Sequence, residues 1–202
     1  MIKHVVMAGV LSAVLAAGVQ AEVTTGAAAP DFTLTDTSGT SHNLSDFKGK
    51  VVVLEWVNHG CPFVVKHYSP GNMQSLQKDY TGKGVVWLSI CSSAEGKQGY
   101  YTAEGWQKLN AEKGGKATAI LLDTKGTAGK LYGAKTTPHM YVINAEGTLV
   151  YQGAIDDKPS TDSDDIPGAK NYVKAALDEV LAGQPVTTGQ TKPYGCGVKY
   201  AQ

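Results

Sequence analysis

Apolar residues in this chain fall in short runs separated by polar, glycine-rich connections. "VVVLEWV" (51–57), "VVWLSIC" (85–91), "TAILLD" (118–123), "MYVIN" (140–144) and "TLVYQG" (148–153) have the length and β-branched content of strands. The first two are apolar almost without interruption, as strands covered on both faces are. Helical patterns fill the intervals at 62–80, 102–112 and 127–132, and again at 169–183, where Gly183 supplies a stop. Strands alternating with helices predict an α/β fold: a central, mixed but mostly parallel sheet with helices on both faces. "NAEGT" between the last two strands predicts a tight turn. "DFTLTDTSGTSHNLSDFKGK" predicts a small N-terminal hairpin ahead of the first core strand. The polar, acidic segment 156–168 reads as a solvated loop, and its aspartates lack the order and glycine of a calcium loop. Beyond Gly183 there is no period, so the tail is expected to be irregular, and mobile unless something pins it.

The first 21 residues, "MIKHVVMAGVLSAVLAAGVQA", stand apart from this pattern. Lys3 and His4 open an apolar stretch that ends in small residues at Val19 and Ala21, the layout of a signal peptide cleaved after Ala21. The stretch is too short for a membrane anchor. The expected organisation is a leader at 1–21, one domain at 22–183 and a tail at 184–202 that carries Cys196. Export places the mature chain, soluble, in a compartment such as the bacterial periplasm, where disulfides persist.

All 18 basic residues are lysine and they balance 18 acids, so there is no basic stripe for nucleic acid or for an anionic membrane. The three cysteines, Cys61, Cys91 and Cys196, are each solitary, which excludes a zinc ribbon. An odd number leaves at least one thiol free or paired with a partner. No cofactor and no metal site is predicted.

The chemistry concentrates at "NHGCPFVVKHY" (58–68), directly after the first long apolar run. A strand-to-helix turn there puts Cys61 at the N-cap and Pro62 in the first turn, with the sulfur facing unsatisfied amides and the positive end of the helix dipole. Such settings bring a thiol pKa from about 8.5 into a range of about 3.5–7.5. His59, His67 and Lys66 are close in sequence and are expected to add positive charge. Glu55 is a carboxylate in an apolar strand. Burial would raise its pKa and suit it to exchange a proton with Cys61. "TTP" opening a strand favours a cis bond at Pro138. His139 after it is either a secondary site residue, as His59 is, or a structural histidine, and the structural role is favoured.

A second cysteine three residues after Cys61 would close a local disulfide, but Val64 stands there. Three routes remain open. Cys196 on the tail attacks an oxidised Cys61, Cys91 does so from the neighbouring strand, or an external thiol resolves a mixed disulfide. The glycines on both sides of Cys196 allow close approach and favour the first.

"LSDFKGKVVVLEWVNHGCP" and, far downstream, "KTTPHMYVINAEGTLVYQG" resemble the thioredoxin-like superfamily, in its branch of exported redoxins related to alkyl hydroperoxide reductases and thiol-specific antioxidants. The ending "YGCGVKY" resembles a peroxiredoxin-like subgroup with a lone Cys-Pro and a C-terminal Gly-Cys. The resemblance spans about 29–183 and implies a thioredoxin-like fold. It implies that Cys61 is the reactive cysteine, with Glu55 at the position of the buried acid behind it. It also implies that Pro138 is the cis-proline beside the sulfur, so that Pro62, Thr137 and Pro138 form the shoulder where substrate binds.

Three functions compete. In the favoured one the protein is a thiol–disulfide oxidoreductase that acts on protein or small-molecule thiols and disulfides, with a separate reductant or oxidant as partner. The second is a thiol peroxidase, in which Cys61 passes through a sulfenic acid. Against it, Leu54 and Asn58 occupy the places of the Pro and Thr/Ser of the peroxiredoxin motif, and the chain has no arginine to orient peroxide and thiolate. The third is a copper-binding thioredoxin-like chaperone using Cys61 with His59, His67 or His139. Carriers of that kind usually have a Cys-x-x-x-Cys, and here the position four after Cys61 is Val65.

Overall fold

A computed structural model describes residues 23–201, and the expected leader and its cleavage point lie outside them. The chain runs through β1 (Thr33–Asp36), β2 (Ser41–Asn43), a 3-10 turn (Leu44–Phe47) and β3 (Val52–Trp56). It continues through α1 (Pro62–Tyr68), α2 (Asn72–Thr81), β4 (Val86–Cys91), α3 (Ala103–Lys113), β5 (Ala119–Leu122) and α4 (Thr127–Leu131). Then come β6 (Thr136–Thr137), β7 (His139–Ile143), β8 (Leu149–Gly153), a 3-10 turn (Ser163–Gly168), α5 (Tyr172–Leu181) and β9 (Cys196–Gly197).

Seven strands form one sheet in the order β2-β1-β5-β4-β3-β7-β8. Only the β3–β4 and β4–β5 pairs are parallel, and all the others are antiparallel. The sheet is mixed, with less parallel pairing than the alternation of elements predicts. Parallel neighbours need a long crossover, and α1–α2 and α3 supply one to each of these two pairs. The tight turn after β7 and the N-terminal hairpin impose antiparallel pairing at both edges.

Alternation along β3 separates two apolar layers. Val53 and Val57 pack with Cys61, Trp87, Trp106, Met140 and the apolar residues of α5. Val52, Leu54 and Trp56 pack on the other face with Ile90, Ala128, Tyr132 and Tyr141. Glu55 is therefore committed by its register to the Cys61 face, at the centre of the sheet. No helix among the described residues is long and apolar enough to cross a membrane.

The helical pattern at 62–80 breaks in two at Ser69–Pro70–Gly71. Pro70 cannot continue the ladder, and Gly71 takes a left-handed φ of 81° at the start of α2. The segment 156–168 is not uniformly solvated, because Asp156 is 3% exposed. The tail is pinned rather than loose: β9 pairs antiparallel with β6, matching Thr137 with Cys196 and Thr136 with Gly197.

Candidate active site

β3 delivers the chain to the edge of the sheet, where Asn58 shapes the turn. Its side-chain Oδ1 accepts from Gly60 N–H at 2.8 Å and its carbonyl accepts from Cys61 N–H at 2.9 Å. Cys61 takes extended dihedrals as N-cap of α1, and Pro62 starts the helix, as expected. The Cys61 thiol is fully buried and donates to the Thr137 carbonyl at 3.0 Å. The Thr137–Pro138 bond is cis.

The tail brings Cys196 to the same carbonyl. Gly195, at φ 139°, passes so close to Thr137 that an added Cβ would sit 2.1 Å from the Thr137 oxygen. Only glycine fits there, whereas a Cβ on Gly197 would meet nothing nearer than 3.9 Å. One of the two glycines around Cys196 is thus a steric requirement. Backbone bonds from Val198 N–H to the Lys135 carbonyl (3.1 Å) and from Ala94 N–H to the Lys199 carbonyl (2.8 Å) continue the docking. Tyr200 lies in a slot that Gly126 and Gly129 leave open, and donates to the Ala134 carbonyl at 2.8 Å.

The two thiols are electrostatically unequal. Burial pushes the Cys61 thiol up, but hydrogen bonds from the Cys196 thiol, the Thr137 side chain and the Cys196 and Val64 amides outweigh it and leave the pKa below the ordinary value. The Thr137 hydroxyl is buried with no other hydrogen-bond partner among the described residues, so it is free to serve the ionised sulfur. At Cys196, burial and then the adjacent Cys61 push the pKa up to about 11. Of the two thiols, Cys61 therefore ionises first, while Cys196 keeps its proton to higher pH.

The flanking histidines do not contribute the positive charge expected of them. Burial, helped by Lys113, lowers His59 to about 4, and its ring packs edge-on against Tyr68 and tilted against Trp106. Burial outweighs the opposing effect of Asp156 and lowers His67 to about 4 as well. Lys66 is buried with its ammonium 3.7 Å from Asp156. His139 belongs to the opposite face, where its Nδ1 lies 3.1 Å from Tyr141 Oη and accepts from Lys135 N–H at 3.3 Å. These histidines do not converge on Cys61, and no group of three or more His, Cys, Asp or Glu among the described residues is placed to hold a metal.

Glu55 is wholly buried. Its oxygens accept from Tyr68 (2.8 Å), Gln77 (3.0 Å), Trp87 (2.7 Å) and Ser89 (3.0 Å). Burial raises its pKa, and the four donors offset this only in part. A carboxyl whose folded pKa is raised adds stability fully below its unfolded pKa and loses it as pH rises through the folded value. Relative to Glu55→Gln, the wild type is therefore expected to lose stability steadily as pH rises from about 4.3, the unfolded value of a glutamate. Urea titrations at intervals from pH 4 to pH 8 read this directly, and a constant difference between the two proteins would contradict it.

Cys91 ends β4 at the same sheet edge as Cys61, as expected, but its thiol is engaged elsewhere. It donates to the Gly99 carbonyl at 3.4 Å, and burial raises its pKa. Sequence reasoning missed the residues that hold the tail, above all Tyr194, Asp156 and Tyr200. The signal was present in "YGCGVKY", where an aromatic brackets the Gly-Cys-Gly on each side.

Residues 24–172 match the redoxin family, and the chain belongs to it. The fold is thioredoxin-like. Over 131 residues, 63% of this chain and 67% of the relative, the sequence is 29% identical to thiol-disulfide oxidoreductase ResA of Geobacillus thermodenitrificans. A crystal structure of a hypothetical protein from Sinorhizobium meliloti 1021 superimposes with a TM-score of 0.75 at 27% identity, covering 90% of this chain and 97% of that one. An uncharacterized conserved protein from Geobacillus kaustophilus gives 0.73 at 30% identity, covering 88% and 93%. The family match stops before the tail, so Cys196 lies outside it.

Proposed function

We propose that this redoxin is an exported thiol–disulfide oxidoreductase in which Cys61 attacks and Cys196 resolves. The observation that carries the reading is the meeting of both cysteines at Thr137, whose carbonyl accepts from the Cys61 thiol and which is the strand partner of Cys196. The kinship with a named thiol-disulfide oxidoreductase supports it.

The Cys61 thiolate attacks one sulfur of a substrate disulfide. A bond forms to Cys61, the substrate S–S bond breaks, and the other substrate sulfur leaves as a thiolate. Cys196 then gives up its proton and attacks the Cys61 sulfur, which forms Cys61–S–S–Cys196 and releases the second substrate thiolate. The substrate gains two electrons and the dithiol loses two. Two external thiols return the protein to its dithiol state: the first attacks Cys61 and frees Cys196, and the second attacks that mixed disulfide, frees Cys61 and leaves as the external disulfide. The same atoms run the reaction backwards when the partner is an oxidant.

Thr137 and Pro138, with Pro62 opposite, form the shoulder beside the sulfur. Glu55 is the buried acid on the Cys61 face. All four of its donors are other side chains, so proton exchange with the thiols uses an intermediate carrier. The peroxidase reading has less support, because nothing in an arginine-free chain supplies the guanidinium fork.

Turnover is the test. With dithiothreitol as reductant, catalytic amounts of protein are expected to accelerate reduction of a disulfide-linked peptide. With hydrogen peroxide as oxidant, Cys61 is expected to react no faster than free cysteine. A fast peroxide reaction without peptide reduction would reverse the assignment.

A further inference from the structure

Two residues before Cys196, Tyr194 reaches into a buried polar cluster that the dithiol chemistry does not use. Its hydroxyl donates to Asp156 Oδ1 at 2.5 Å. The same oxygen accepts from Lys158 N–H at 3.0 Å, while Asp156 Oδ2 lies 3.7 Å from Lys66 Nζ and 3.8 Å from His67 Nε2. Lys66 Nζ donates to the Lys158 carbonyl at 2.7 Å and sits 5.7 Å from the centre of the Tyr194 ring. Lys66, His67 and Asp156 are at most 3% exposed.

The hydrogen bonds of this cluster run one way. Asn72 donates its amide N–H to His67 Nδ1 at 2.9 Å, so neutral His67 carries its proton on Nε2. That N–H faces Tyr194 Oη at 3.2 Å, and the Tyr194 proton goes to Asp156. Among the described residues, the tyrosine hydroxyl links His67 to Asp156 Oδ1. Phe63 packs against the same ring at 5.8 Å. Phe63, Lys66 and His67 all belong to α1, the helix whose N-cap is Cys61. One short helix thus holds the nucleophile at its start and the seat of Tyr194 along its length.

We propose that Tyr194, seated on Asp156, His67 and Lys66, is the positioning residue that holds Cys196 against Cys61, and that this latch sets how readily the Cys61–Cys196 disulfide forms. The inference rests on the dithiol reading above. The latch raises the effective concentration of one thiol at the other, because a docked tail does not have to search for its partner. Burying the charges of Lys66 and Asp156 is costly unless they are paired and hydrogen-bonded, and the tail tyrosine provides one of the bonds.

The test is equilibration of the full chain with glutathione and glutathione disulfide at a series of ratios, with thiols trapped in acid. Glutathione disulfide takes two electrons from the dithiol, which closes Cys61–Cys196 and releases two glutathiones. Tyr194→Phe keeps the ring and removes only the link. It is expected to lower the equilibrium constant for closure about tenfold, a shift of roughly 30 mV towards easier reduction. Asp156→Asn is expected to act in the same direction, and Gly195→Ala, which forces the strand off Thr137, at least as strongly. A variant weakened only in overall stability would keep the wild-type constant while folded. A wild-type constant in Tyr194→Phe would overturn the latch and leave the dithiol reading standing, whatever Gly195→Ala does. Failure of the wild type itself to close the bond at any ratio would overturn the dithiol reading instead.

Discussion

Cys61→Ser is expected to abolish disulfide exchange, lowering turnover by at least about three orders of magnitude, as loss of an enzyme's nucleophile does. A serine hydroxyl in the same place stays protonated near neutral pH and cannot form a disulfide. The other thiols do not substitute for it. Cys196 has a pKa of about 11 and so is almost entirely protonated there. Cys91 is buried, raised in pKa and bonded to the Gly99 carbonyl. The fold should tolerate the change, because the serine can still donate to the Thr137 carbonyl that accepts from Cys61. Peptide reduction with dithiothreitol checks the rate, and retained thermal stability separates chemistry from unfolding. Residual turnover above a few per cent of wild type would show that another cysteine initiates exchange.

Cys196→Ser is expected to have a different signature. The first step survives, since Cys61 and its shoulder at Thr137 and Pro138 are intact. The second step loses its docked thiol and must wait for one from solution, a change worth about a hundredfold or more in effective concentration. Cys61 then accumulates as a mixed disulfide with the substrate, visible as a mass increase that reductant removes. The variant should also shift the pH profile of Cys61. Among the groups that counter burial at this thiol, the Cys196 side chain contributes most. Losing it moves the thiol upward, so alkylation of Cys61 needs higher pH than in the wild type. Serine at 196 keeps a hydroxyl that can donate to the sulfur, so the shift is smaller than removal of the side chain would give. Unchanged turnover, with no trapped adduct, would assign resolution to an external thiol.

Much of this site could be read from the chain before its fold was known. Cys61 was legible because a Cys-Pro after an unbroken apolar strand has few structural explanations, and Pro138 because "TTP" opens the strand that pairs with β3. Glu55 could be read as buried from its period within "VVVLEWV", although not which four side chains would surround it. Those donors come from β4, α1 and α2, elements separated from it by up to 34 residues.

The helical pattern at 62–80 hid its own break, since the apolar period runs on across Ser69–Gly71 while the backbone does not. The tail was the least legible. A strand of two residues has no period to detect, and what holds it is not local. Tyr194 depends on Asp156, 38 residues away, and Cys196 pairs with Thr137 through backbone bonds that carry no side-chain signal. The positive charge expected around the thiol was a sequence inference that burial reversed. His59 and His67 are close in sequence to Cys61, yet both are desolvated enough to stay neutral. Hydrogen bonds from the tail do what those charges were expected to do.

Dithiol chemistry in this protein depends on one covalent link, between Cys61 and Cys196. The full chain, oxidised with glutathione disulfide, quenched in acid and alkylated, should be digested and mapped without reduction. The predicted map shows the Cys61 peptide joined to the Cys196 peptide, with Cys91 alkylated. A map in which Cys61 is joined to Cys91, or carries glutathione while Cys196 is alkylated, would contradict it.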